Sequence, residues 1–203
     1  RYGTHGFHEY RGKFFPQLVG SLLNISGAER GDAILDPMCG SGTTIVEAVR
    51  RGMQGYGCDL NPLSTLMART KAEILCKRSS NLEKQVDSLL SKLVTQQKVD
   101  QDQLWDEDDS AYLERWFAPE ALTEISSILQ LIRANTSGTY RRFFEVCLSD
   151  IVRQVSYQDV DDLRVRKTEK VFERGMARDL LTETVRAKAS RAIQMLQLHE
   201  QAS

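Results

Sequence analysis

Asp36-Pro37-Met38-Cys39-Gly40-Ser41-Gly42-Thr43-Thr44, directly after the apolar run Ala33-Ile34-Leu35, decides how the rest of the chain is read. It predicts a strand that ends in a glycine loop and turns into a helix, the arrangement that receives a phosphate or a nucleoside at the carboxyl end of a strand. Gly40 and Gly42 suit such a loop because a residue without Cβ reaches positive φ cheaply and lets a ligand lie against the backbone.

The elements on either side fit that reading. Leu18, Leu22, Leu23 and Ile25 have helical spacing after Pro16, and Gly27 supplies a stop. A strand at about 32–36 is followed by a helix through Ile45 to Val49, which ends at Arg51-Gly52 as helix ends prefer. A second strand, 54–58, ends at Asp59, and a third helix starts at Pro62 and runs past Leu75. This alternation predicts parallel strands joined by crossover helices, the start of a doubly wound α/β sheet. Residues 1–13 are expected to be an ordered loop.

Beyond Lys77 four apolar stripes follow, from Leu82 to Leu93, Leu122 to Ile132, Phe143 to Val155 and Val171 to Leu196. No stretch after Asp59 reads as a strand. Two regions are expected: an α/β part at 1–78 and a mainly helical part at 79–203, suited to target recognition or assembly.

Composition sets the outer limits. A chain of 203 residues with 41% hydrophobic and 27% charged residues is ordinary for a globular protein. It has no apolar run long enough to span a bilayer and no signal-peptide pattern, so a cytoplasmic location without membrane partners is expected. Cys39, Cys58, Cys76 and Cys147 lack metal-ligand spacing and read as reduced thiols. The formal net charge is −1, but six acids and no base lie between Asp100 and Asp109, which reads as a solvated connection anchored by Trp105. Nine Lys or Arg against four acids lie between Arg164 and Arg191. The chain begins with Arg1, not Met, so a fragment of a longer protein is expected.

The loop itself narrows the ligand. No Lys follows Gly42, which disfavours a triphosphate P-loop, and Ile45 replaces the third glycine of a dinucleotide fingerprint. What remains is D-P-x-x-G-S-G-T with an acid, Asp59, at the end of the next strand. This string resembles the S-adenosylmethionine motif of the amino-methyltransferases, which modify exocyclic amines of DNA bases or of guanine in RNA. Gly57-Cys58-Asp59-Leu60-Asn61-Pro62 is similar to the segment that continues it. His8-Glu9-Tyr10-Arg11-Gly12-Lys13-Phe14-Phe15-Pro16 resembles the H-x-Y-P-A-K-F-x-P segment of bacterial adenine-N6 and cytosine-N4 DNA methyltransferases, with Arg11-Gly12 in place of Pro-Ala.

The resemblance implies a partial Rossmann-like methyltransferase fold and S-adenosyl-L-methionine as cofactor. It implies binding by Tyr10, Lys13, Phe14, Asp36, Pro37, Gly40, Ser41, Gly42, Thr43, Asp59 and Asn61. The loop would face the methionine half and Asp59 the ribose hydroxyls. It also implies a restriction-modification setting and double-stranded DNA with a flipped target base as partner.

Such enzymes need a second motif, [DNS]-P-P-[YFW], to hold the target amine. The four prolines here, Pro16, Pro37, Pro62 and Pro119, are never adjacent. No catalytic residue and no metal ligand is therefore assigned, and the catalytic part is expected in a missing carboxyl-terminal segment or in an oligomeric partner. The alternatives are a fragment of an RNA guanine-N2 methyltransferase and a non-catalytic helical module with a vestigial loop. Arg141, Arg142, Arg153, Arg164, Arg166, Lys167, Lys170, Arg174 and Arg178 are candidates for nucleic-acid phosphates, against a blander reading as a solvated helix face with i,i+4 pairs.

Overall fold

The computed structural model describes residues 2–10, 12–95, 104–160 and 166–202. After a short 3-10 helix, Gly3–Gly6, come α1 (Pro16–Ile25), β1 (Ala33–Asp36), α2 (Thr43–Arg50), β2 (Gln54–Gly57) and α3 (Pro62–Ile74). The helical part contains α4 (Ser79–Thr95), α5 (Glu107–Leu113), α6 (Pro119–Asn135), α7 (Gly138–Ile151) and α8 (Met176–Ala202).

β1 and β2 pair in parallel, with Ile34 opposite Gly55 and Leu35 opposite Tyr56. α2 lies on the Ile34/Gly55 face. A Cβ at Gly55 would stand 2.8 Å from Ile45 Cγ2, so glycine is what lets the helix sit this close. Ile34 joins Val19, Leu23, Ala48 and Met53 in a small core beneath α1 and α2. On the opposite face Leu35 and Tyr56 are 69% and 54% exposed, so that side of the sheet carries no cover among the described residues. The architecture is thus mixed α/β, mostly helical, with a two-stranded parallel sheet.

The main core runs through the helices. Met67 and Ile74 of α3 share it with Leu82, Ile128, Phe143, Phe144, Leu181 and Leu196. Phe7, expected in a loop, is buried in this same core with its ring edge-on to Phe143, at 5.2 Å between centroids. Carboxylates add to the join between the two parts. Glu73 of α3 accepts hydrogen bonds from Thr139 and Arg142 of α7, and Asp150 of α7 accepts from the Glu9 amide and the Lys188 ammonium.

Two expectations need correction, for Val171 and Phe172 and for the acidic run. Val171 and Phe172 are not on a helix: α8 begins at Met176, after Gly175 at a φ of 95°. Residues ahead of it pair instead with the segment after α7, through Asp159 N–H to the Arg166 carbonyl and Thr168 N–H to the Tyr157 carbonyl. The only strand-like pairing described beyond Asp59 is this isolated bridge, Gln158 with Lys167. Within the acidic run, Asp106 caps α5 by accepting from the Asp109 amide, and the acids after it occupy the first turn, where the helix dipole favours them. Asp100 and Asp102 lie outside the described residues, while Trp105 anchors the run by donating to Ser126.

Gly42 combines a φ of 82° with a position where a Cβ would lie 2.5 Å from the Cβ of Ala68 and 2.6 Å from its Cα. Gly42→Ala is expected to destabilise the fold by about 2–4 kcal/mol, backbone strain and overlap together. Gly31→Ala, at a φ of 98° with open space around it, should cost only about 1–2 kcal/mol of strain. Urea unfolding of both variants checks the difference.

Candidate cofactor site

The glycine loop is held from three sides. The Asp59 carboxylate, at the end of β2, accepts from the Gly40 amide at 2.9 Å and from the Asn61 amide at 2.9 Å. Inside the loop, the Gly42 amide donates to the Cys39 carbonyl at 2.8 Å and the Met38 amide to the Asp36 carboxylate. From α3, the Lys71 ammonium donates to the Ser41 carbonyl at 2.8 Å. Gly42 then starts α2 without any side chain capping its first turn.

The amino-terminal segment forms the facing wall. The Tyr10 ring lies against Gly40 and its hydroxyl accepts from Ser64 Oγ at 3.3 Å. Lys13 donates to the His5 carbonyl at 3.3 Å. His5 is in turn bonded through Nε2 to Glu47 of α2 at 2.8 Å, and the Tyr2 hydroxyl donates to the same carboxylate. Glu47 is 1% exposed. Burial alone would raise its pKa, but hydrogen bonds from His5, Arg51 and Tyr2 and the charge of Arg50 hold it down at about 2. Burial depresses His5 against the opposing pull of Glu47, which favours the neutral imidazole.

Tyr10, Lys13, Phe14, Asp36, Gly40, Ser41, Thr43 and Asp59 all line one cleft of about 150 Å³. It adjoins a larger cavity of about 550 Å³ that shares Tyr10, Gly12, Lys13, Phe14 and Thr43. Three expected residues lie outside the lining. Asn61 caps α3 by accepting from the Leu63 amide, Gly42 packs on Ala68, and the Pro37 carbonyl accepts from Cys58 Sγ. The sequence reading missed Glu47, His5 and Lys71. Lys71 left a signal, because it interrupts the apolar spacing of Met67 and Ile74 on α3 with a charge.

The residues fit a nucleoside with an amino-acid tail. Asp59 lines the cleft and keeps acceptor capacity beyond its two backbone bonds. Ser41 Oγ is buried at the cleft without a protein partner, a donor left over for a ligand. Among the described residues no group of three or more His, Cys, Asp or Glu is placed to hold a metal ion.

Most of the basic candidates are engaged within the protein. Arg141 and Arg153 donate to carbonyls, and so does Lys170, whose acceptors are Arg153 and Gln158. Arg142 binds Glu73, Arg178 binds the Leu93 carbonyl, and Lys167 lies over the Trp116 ring. The expected face of i,i+4 pairs is therefore not what they form; their partners are mainly carbonyls and distant side chains. Arg164 lies outside the described residues.

Comparison with known proteins agrees with this geometry. Residues 8–78 match the family model described as "RMKL-like, methyltransferase domain". The cleft-bearing part of the chain is thus similar to a methyltransferase domain. More particularly, the chain is 26% identical to type II methyltransferase M.MjaII of Methanocaldococcus jannaschii, over 84% of this chain and 43% of that protein. It is also 26% identical to type II methyltransferase M.MvaI of Kocuria varians, over 75% of this chain and 34% of the relative. A tRNA (guanine(10)-N2)-dimethyltransferase of Methanothermobacter thermautotrophicus is 40% identical, over 26% of this chain and 16% of its own length. The chain therefore spans less than half the length of these curated relatives. No solved structure matches it.

Two outcomes follow from these carboxylates. Because Glu47 and Glu73 fall from an ordinary 4.5 to about 2 on folding, their contribution is complete above pH 4.5 and is lost as pH falls toward 2. Glu47→Gln should therefore flatten the pH dependence of the urea midpoint between 4.5 and 2, while lowering stability at pH 7 by about 3 kcal/mol. In calorimetry at pH 7.5, Asp59→Ala should weaken S-adenosylmethionine binding by about tenfold or more.

Proposed function

We propose that this chain is the cofactor-binding half of a site-specific DNA methyltransferase that modifies an exocyclic base amine, adenine N6 or cytosine N4. The observation that carries the reading is the convergence of three separate segments, Tyr10 to Phe14, Asp36 to Thr43 and Asp59, on one cleft. The relatives that align over most of the chain are type II methyltransferases by name, which supports this reading over the tRNA one.

S-adenosylmethionine supplies an electrophilic methyl group on a sulfonium. The glycine loop and Asp59 hold and orient the cofactor, and the aromatic wall at Tyr10 and Phe14 shields it from water. The residues that receive the target amine and the rest of the sheet are contributed by a further segment, which would also cover Leu35 and Tyr56. No two prolines adjoin anywhere in the 203 residues, so the second motif of these enzymes is not among them. The protein works in the cytoplasm as part of a restriction-modification pair, on double-stranded DNA with the target base turned out of the helix. No described helix is long and apolar enough to cross a membrane.

A second reading, guanine-N2 methylation of tRNA, draws on the local 40% identity around the loop. Methyl transfer from labelled cofactor, with the whole protein and either double-stranded DNA or tRNA as acceptor, separates the two. Labelled N6-methyladenine or N4-methylcytosine in digested DNA is expected. Label confined to guanine in tRNA would replace the DNA reading.

A further inference from the structure

Lys71 is a lysine that is only 1% exposed, on the inner face of α3, with its ammonium 2.8 Å from the Ser41 carbonyl. Removing an ammonium from water costs several kcal/mol unless charge and hydrogen bonds compensate, so a residue in this position needs a physical explanation. Apolar packing does not require it: at i+4 from Met67 and three residues before Ile74, a methionine or leucine would continue the stripe.

The atom it holds is well chosen for control of the loop. Ser41 stands between Gly40 at a φ of 49° and Gly42 at a φ of 82°. Gly42, without a Cβ, leaves the orientation of the Ser41–Gly42 peptide unit less restricted by side-chain sterics than an ordinary residue would. Asp59 fixes the loop before it through the Gly40 amide, and the Cys39 carbonyl holds the Gly42 amide. The Ser41 carbonyl is bound from behind by Lys71. Ser41 also lines the cleft, and its unpartnered hydroxyl is buried there, so the orientation of this residue decides what the cleft offers a ligand.

The surroundings are built for a buried charge. Glu47 and His5, bonded to each other at 2.8 Å, are buried as Lys71 is. His5 carries the carbonyl to which Lys13 of the facing wall donates.

We propose that Lys71 is a positioning residue for S-adenosylmethionine: through the Ser41 carbonyl it sets the glycine loop in the orientation that receives the methionine half of the cofactor. This rests on the cofactor reading above and goes beyond it by assigning the control of affinity to a side chain outside the cleft.

The test compares two ligands by calorimetry. S-adenosylmethionine carries the amino-acid tail; 5′-methylthioadenosine shares the nucleoside but lacks the tail. Lys71→Met should weaken S-adenosylmethionine by about tenfold or more, the range of a lost charged hydrogen bond, and methylthioadenosine by less than about threefold. Lys71→Gln, which keeps a donor and guards against a variant that fails to fold, should fall between wild type and Lys71→Met for S-adenosylmethionine. Equal weakening of both ligands would mean a general structural role and overturn the proposal, as would unchanged S-adenosylmethionine affinity in a folded variant. If the wild-type protein binds neither ligand, the cofactor reading itself fails, an outcome distinct from wild-type binding that the substitutions leave untouched.

Discussion

The hydrogen bond from the Gly40 amide to the Asp59 carboxylate is the contact on which the site depends. It joins the ends of the two parallel strands, so that a loop free to take many shapes is held against a fixed sheet edge. The same carboxylate accepts from the Asn61 amide and so steadies the turn that leads into α3. From there the geometry propagates: α3 brings Ala68 against Gly42 and Lys71 under Ser41. A cofactor that hydrogen-bonds to Asp59 would thus meet a group whose position is already paid for in the fold.

The helical part does more than follow the cleft-bearing part. Phe7 sits among α7 and α8 residues in the main core, and the Glu9 amide is bound by Asp150. The segment between them and α1 forms one wall of the cleft. Its placement therefore depends on helices that lie more than a hundred residues away in sequence. Destabilising α7 would loosen this wall without touching any residue of the glycine loop.

Much of the cleft was legible in the sequence because its chemistry is local. A strand, a glycine loop and an acid at the next strand end are each written in a few consecutive residues. β2 is the least obvious element, since Gln54-Gly55-Tyr56-Gly57 has almost no apolar pattern. Asn61 enters the expected site through the resemblance of the 57–62 segment, and its side chain caps α3. Glu47, His5 and Lys71 could not be read in this way. Their partners come from elements far apart in sequence, and a charged residue in a helix is usually solvated. Val171 and Phe172 misled because apolar spacing continues across Gly175, where the backbone does not.

The central claim is that the loop between Asp36 and Thr43 receives S-adenosylmethionine. Amide chemical shifts of the isotope-labelled protein, titrated with the cofactor, test it most directly. The account predicts shifts concentrated at Tyr10 to Phe14, at Asp36 to Thr44 and around Asp59, with the amides of α5 and α8 unmoved. Saturating cofactor that leaves the glycine-loop amides in place, or that shifts a different part of the protein, would contradict it.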